Sequence, residues 1–117
     1  MSKNKGFSIT SADRYSLALY ELANESNVLS QVEDQSLSFL SFISSSKDFS
    51  NLIKDPTNSQ EDLLKVLNTI SNDNKFENLL KNFLSFLITK RRFFYVEQIL
   101  RVLLRLVQKK EENWKQN

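Results

Sequence analysis

The 117-residue chain contains no cysteine and no histidine. Without cysteine there is no disulfide and no thiolate, and a cytosol-like compartment is the simplest expectation. With histidine also missing, the common zinc sites and the usual neutral-pH proton shuttle are excluded. There is one glycine and one proline. Phosphate-cradling loops need several glycines around one turn, so P-loop and dinucleotide folds are excluded as well. No apolar run approaches the roughly 18 residues of a membrane span. The start, "MSKNKGFSIT", lacks the apolar core of a signal peptide. Asn-Gly turns and Val/Thr alternation, the usual strand signals, are missing.

What is present favours helix: many Leu, Lys, Ser, Asn and Glu with few breakers. A chain of this length forms one domain and buries roughly two thirds of its unfolded surface, so no metal, disulfide or cofactor is needed to hold it. The formal charge is +2, but residues 90–117 hold 8 Lys/Arg against 3 Asp/Glu, while residues 1–89 hold 8 against 11.

Six helices are expected, joined by short links into an all-α six-helix bundle. Ser11 is the expected cap of the first, which runs to about Asn24–Ser26. The second covers about Asn27–Ser44, with Val28, Leu29, Val32, Leu37, Phe39, Leu40, Phe42 and Ile43 inward. A short third carries Phe49, Leu52 and Ile53 and ends before Pro56, because proline pushes the preceding residue out of the α region. Ser59 and Asp62 have the spacing of a capping box at the start of the fourth. The fifth is expected over about Lys75–Thr89. The sixth runs from near Arg92 to about Asn113. Residues 1–10 read as a flexible start, 11–113 as the bundle and 114–117 as a tail.

Two helices have more apolar surface than one buried stripe requires. On the first, Ala18, Leu22, Tyr15, Leu19 and Ala23 span about 140°. On the fifth, the arc from Phe86 through Leu79, Phe83, Leu87, Leu80 and Leu84 to Ile88 spans roughly 200°. Both helices can lie centrally in the bundle, wetted on a narrow strip. Alternatively, they can border an exposed groove that fits an amphipathic helix from another chain.

Other chemistries find little support. Glu33-Asp34 and Glu111-Glu112 are sequence neighbours about 100° apart on a helix and do not converge. The serines have no histidine to activate them, so the chain does not read as an enzyme. Lys90, Arg91 and Arg92 beside Phe93, Phe94 and Tyr95 offer too few cations for a nucleic-acid surface. They suit a helix C-terminus with aromatics in the core. Arg101, Arg105 and Lys109 form a solvated stripe, with Glu97 placed to pair with Arg101. Membrane-surface binding needs more cations on that face, and direct membrane insertion is not expected.

"RYSLALYELA", at 14–23, resembles the first-helix signature of the δ subunit of bacterial F-type ATP synthases, relatives of the mitochondrial oligomycin-sensitivity-conferring protein. Arg14, Tyr15, Ala18, Leu19, Tyr20 and Ala23 match it; Ser16 stands where alanine is usual. "NLIKDP" at 51–56 looks like the family's Leu-x-x-Pro turn, one residue wider. "NFLSFLITKRRF" at 82–93 and the following "VEQIL" look like the end of its fifth helix and the opening of its sixth. The resemblance covers about residues 8–108.

The resemblance implies a non-catalytic peripheral-stalk subunit on the cytoplasmic face of the bacterial inner membrane, without cofactors. It implies that an apolar groove between the first and fifth helices receives the N-terminal helix of an α subunit, so that the catalytic head resists rotor torque. Tyr15, Ala18 and Phe83 sit on family-matching positions; Leu22, Leu79 and Phe86 complete the expected groove from the helical wheels. The family continues into a second, smaller α/β domain, which is expected to be absent from this chain, and with it most of the contact to the b stalk. The competing expectation is a generic helical adaptor for an unrelated amphipathic helix.

Overall fold

The computed structural model describes the backbone of residues 3–55, 57 and 59–116, and the side chains of residues 11–55, 57 and 59–109. Among the described residues there are six α-helices and no strand. They are α1 (Lys3–Glu25), α2 (Leu29–Ser45), α3 (Lys47–Lys54), α4 (Gln60–Asp73), α5 (Asn78–Thr89) and α6 (Val96–Gln116), with a 3-10 turn over Phe93–Tyr95 leading into α6. The all-α bundle expected from composition and periodicity is the fold observed.

Two helix starts in the middle of the chain carry side-chain caps, the expected one at Ser59 and one at Ser46 that was not expected. The Phe49 N–H donates to Ser46 Oγ at 3.2 Å, and the Asp62 N–H donates to Ser59 Oγ at 3.1 Å. Asp55 is extended after α3 (φ −86°, ψ 109°), as a residue preceding proline must be. Pro56 itself lies outside the described residues.

Three other helix ends use a device that the sequence hides. Asn27, Lys75 and Arg91 have φ of 61°, 54° and 60°. In each case the next N–H reaches back five residues: Val28 to Ala23 O (2.9 Å), Phe76 to Ser71 O (2.9 Å) and Arg92 to Leu87 O (2.8 Å). These are Schellman stops, usually made by glycine, built here from Asn, Lys and Arg.

Several boundaries therefore differ from expectation. α1 starts at Lys3, so Ser11 lies inside the helix and does not cap it. α5 starts at Asn78 instead of Lys75, because Lys75 is left-handed and Phe76 precedes the helix. The Glu77 N–H donates to Gln35 Oε1 at 2.8 Å, tying this entry to α2. α6 reaches Gln116. The expected flexible start and tail fall on side chains, 1–10 and 114–117, outside the described residues.

The core is continuous through all six helices. Leu19, Val32, Leu67, Leu80, Leu84, Leu87, Ile99, Leu100 and Leu103 are fully buried. Phe39 sits among aromatic rings, edge-on to Phe49 (5.7 Å between centroids), Phe76 (6.2 Å) and Phe93 (6.3 Å). Ser16, also fully buried, donates its hydroxyl to the Ile99 carbonyl at 2.6 Å and stitches α1 to α6. Two α2 residues expected inward are exposed: Leu37 and Phe42. The buried stripe of α2 is Val32, Ser36, Phe39 and Ile43. Leu37 lies about 160° from Phe39 around the helix, while Phe42 lies about 60° off and leans on Phe49, with rings 5.0 Å apart.

Candidate functional site: a groove between α1 and α5

The broad apolar arcs of α1 and α5 divide between core and surface. On α1, Ala12, Ser16, Leu19 and Ala23 are buried, a spacing that places them on one stripe. Tyr15 is half-buried, and Ala18 and Leu22 are exposed beside that stripe. On α5, Leu80, Leu84, Leu87 and Ile88 are buried, Leu79 is half-buried, and Phe86 is 44% exposed. Phe83 lies between the two environments, at 9%.

The leftover edges meet. Tyr15, Ala18 and Leu22 from α1 face Leu79, Phe83 and Phe86 from α5 across a groove of about 1020 Å3. All six residues expected to form a groove thus line the same one. Tyr15 and Phe86 touch edge-to-face, with centroids 6.2 Å apart. Ala18 keeps the α1 wall low, and the buried Phe83 ring closes the bottom. Leu22 lies two turns beyond Tyr15, and Leu79 two turns before Phe86, so each wall extends about 10 Å from that contact. The apolar surface is therefore long enough for about two turns of a second helix.

Sequence reasoning missed four other lining residues: Ser11, Arg14, Asn82 and Arg92. Arg14 was legible in principle, since it precedes Tyr15 and shares a face with Ala18 one turn on. Arg92 was not, because its place depends on the left-handed Arg91 before it. Arg92 Nη1 donates to the carbonyls of Lys90 (3.3 Å) and Arg91 (3.5 Å). Lys90 Nζ stands 5.8 Å above the Phe86 ring.

The basic-aromatic segment 90–95 also divides. Phe93 is buried and Phe94 is 49% exposed, its ring 4.2 Å from Tyr95. The expectation that all three aromatics fill the core holds for Phe93 and fails for Phe94. The Glu97–Arg101 pair forms at 3.4 Å on the surface of α6. Among the described residues no cluster of carboxylates could hold a metal ion, and no helix is long and apolar enough to cross a membrane.

Fold and groove together define a helical-bundle module with an open, largely apolar cleft between α1 and α5. The chain belongs to the ATP synthase delta (OSCP) subunit family, whose model matches residues 12–116. It is 62% identical over 101 residues to the ATP synthase subunit delta of Pelagibacter ubique, covering 86% of this chain and 55% of that protein. It is 36% identical over 90 residues to the subunit delta of a Chelativorans species, covering 77% of this chain and 48% of the relative. Against the Magnetococcus marinus subunit delta it is 33% identical over 98 residues, covering 84% and 53%. The chain thus spans about half the length of the curated relatives it matches. No solved structure matches.

Proposed function

We propose that the chain is the helix-binding part of a peripheral-stalk subunit, and that the α1/α5 groove receives the N-terminal helix of an α subunit of the ATP synthase head. The role is mechanical. The head must not turn with the rotor, so the contact has to be tight and slowly released, and no bond is made or broken in the process. Membrane association follows from membership of the complex, on the cytoplasmic face of a bacterial inner membrane. The b stalk is engaged mainly by the family's second domain.

The observation that supports this reading is the convergence of Tyr15, Ala18, Leu22, Leu79, Phe83 and Phe86 on one open groove. Leu22 and Phe86 are nearly half exposed, at 49% and 44%. Covering that remaining surface gives roughly 1–2 kcal/mol each, at about 25 cal/mol per Å2 of apolar area. Those gains, added to burial along both walls, must exceed the cost of ordering the partner helix.

Calorimetric titration with a peptide of the first ~20 residues of the cognate α subunit, long enough to lay an apolar helical face along the whole groove, tests the proposal. Saturable 1:1 binding is expected. In Ala18→Asp the new carboxylate has Arg14 one turn away and stays wet in the free bundle, so the fold survives. Beneath an apolar helix the same carboxylate is desolvated, and binding is lost. A folded Ala18→Asp chain that binds as well as the parent sinks the assignment.

A further inference from the structure

The groove is apolar along its walls but basic at one end. Arg14 is next to Tyr15, whose ring meets Phe86 at 6.2 Å. Lys90 stands over the same Phe86 ring. Arg92 lines the groove and is held over the turn after α5 by the carbonyls of Lys90 and Arg91. These cations therefore gather beside the Tyr15–Phe86 contact, while Leu22 and Leu79 lie about 10 Å away along their helices.

Among the described residues no acid is paired with Arg14 or Arg92. The groove lining includes no Asp or Glu. The Glu97–Arg101 pair lies away on α6. The dipole of α5 accounts for Lys90, Arg91 and Arg92 near its C-terminus, but not for Arg14, which is in the interior of α1. A guanidinium offers five N–H donors in a planar fork, and two carbonyl bonds leave most of those of Arg92 free. An apolar ligand laid along the groove would partly cover two unpaired guanidiniums, which is costly unless an acid meets them.

The geometry points to a ligand helix that carries an aspartate or glutamate on the flank facing Arg14 and Arg92, so that this charge contact fixes the direction in which the helix lies. This rests on the groove reading above and adds a polarity to it. The apolar walls accept an amphipathic helix in either direction, whereas the basic end accepts one. The carboxylate makes charge-assisted, bidentate-capable bonds to the guanidiniums, and rejection of the reversed helix comes from leaving both cations covered and unpaired.

The test uses the chain as it stands, titrated with the α-subunit peptide in two forms: native, and with every Asp and Glu changed to Asn and Gln. Each is measured against the parent chain and Arg14→Gln/Arg92→Gln, at ~50 mM and ~500 mM salt, which spans weak to strong screening. The native peptide is expected to bind the parent about tenfold or more tightly than the amide form at low salt. The double substitution should remove that advantage, with the amide peptide binding it at least as tightly as it binds the parent because no unpaired guanidinium is then covered, and high salt should shrink the difference. Both substituted arginines are on the surface, and an unchanged circular-dichroism melt confirms the fold. Equal affinity of the two peptides, or an unchanged Kd and salt dependence in Arg14→Gln/Arg92→Gln, overturns the inference while leaving the groove reading in place. Absence of binding by the parent chain, or full binding by Ala18→Asp, overturns both.

Discussion

Replacing Lys75 with glycine should stabilise the bundle, the opposite of what glycine does in a helix. Lys75 has φ 54°, where the Cβ of an L-residue crowds the following carbonyl at a cost of about 1–2 kcal/mol. It is there because the Phe76 N–H must reach the Ser71 carbonyl at 2.9 Å and drop the Phe76 ring onto Phe39. Glycine removes the steric cost but returns ~0.5–1 kcal/mol of chain entropy to the unfolded state. The balance favours Lys75→Gly by roughly 0.5–1 kcal/mol. With an unfolding entropy of about 2.1 cal/mol/K per residue, that raises Tm by ~2–4 °C. The internal control is Lys65→Gly, the same chemical change at an exposed interior position of α4, expected to cost about 1 kcal/mol. Thermal melts followed by circular dichroism read both. If Lys75→Gly lowers Tm as Lys65→Gly does, the left-handed stop between α4 and α5 is wrong.

Phe39→Ala removes the ring that Phe49, Phe76 and Phe93 all touch and should cost about 3–5 kcal/mol, read by urea unfolding; a loss below about 1 kcal/mol contradicts the aromatic centre. Ser16 and Ser36 are both fully buried, yet their alanine variants should differ in sign. Ser16→Ala forfeits the bond to Ile99 O and loses up to about 1 kcal/mol. The Ser36 hydroxyl has no hydrogen-bond partner among the described residues, so Ser36→Ala should be neutral or stabilising; the same unfolding series decides, and a marked loss in Ser36→Ala points to a partner there. The Asp55 carboxyl is held below its ordinary pKa, first by the Thr57 hydroxyl at 2.6 Å and then by the Thr57 N–H at 2.9 Å. An NMR titration of Thr57→Val should find that pKa raised, because the larger of the two bonds to the ionised form is gone, and no change removes the hydroxyl from the explanation.

The sequence carries the bundle in its apolar periodicity and carries the groove in the excess width of two helices. Width alone did not decide between a central core position and an open edge. Both descriptions turn out to apply within each helix: Leu19 and Leu84 face the core while Leu22 and Phe86, a turn or less away, face out. Which part of an arc is covered depends on the crossing of α1, α5 and α6, and that is a property of packing, not of one helix. The ends of α1 and α5 were legible, but the starts of α2, α5 and α6 were expected too early, because the left-handed stops at Asn27, Lys75 and Arg91 lack glycine, the residue by which such turns are usually read. Lys75 and Arg91 look like ordinary helix formers. The misplaced start of α5 then carried Phe76 into the helix, and the place of Arg92 in the groove went unseen for the same reason.

The α1/α5 groove is where a partner helix is proposed to lie. The most direct measurement is a 15N–1H correlation spectrum of the chain titrated with the α-subunit N-terminal peptide. Saturating shifts are expected to concentrate at Tyr15, Ala18, Leu22, Leu79, Phe83 and Phe86, which line that groove, with α3 and the exposed face of α4 unmoved. Shifts centred on α2, α3 or α4, or a folded chain whose spectrum does not change, contradict that placement.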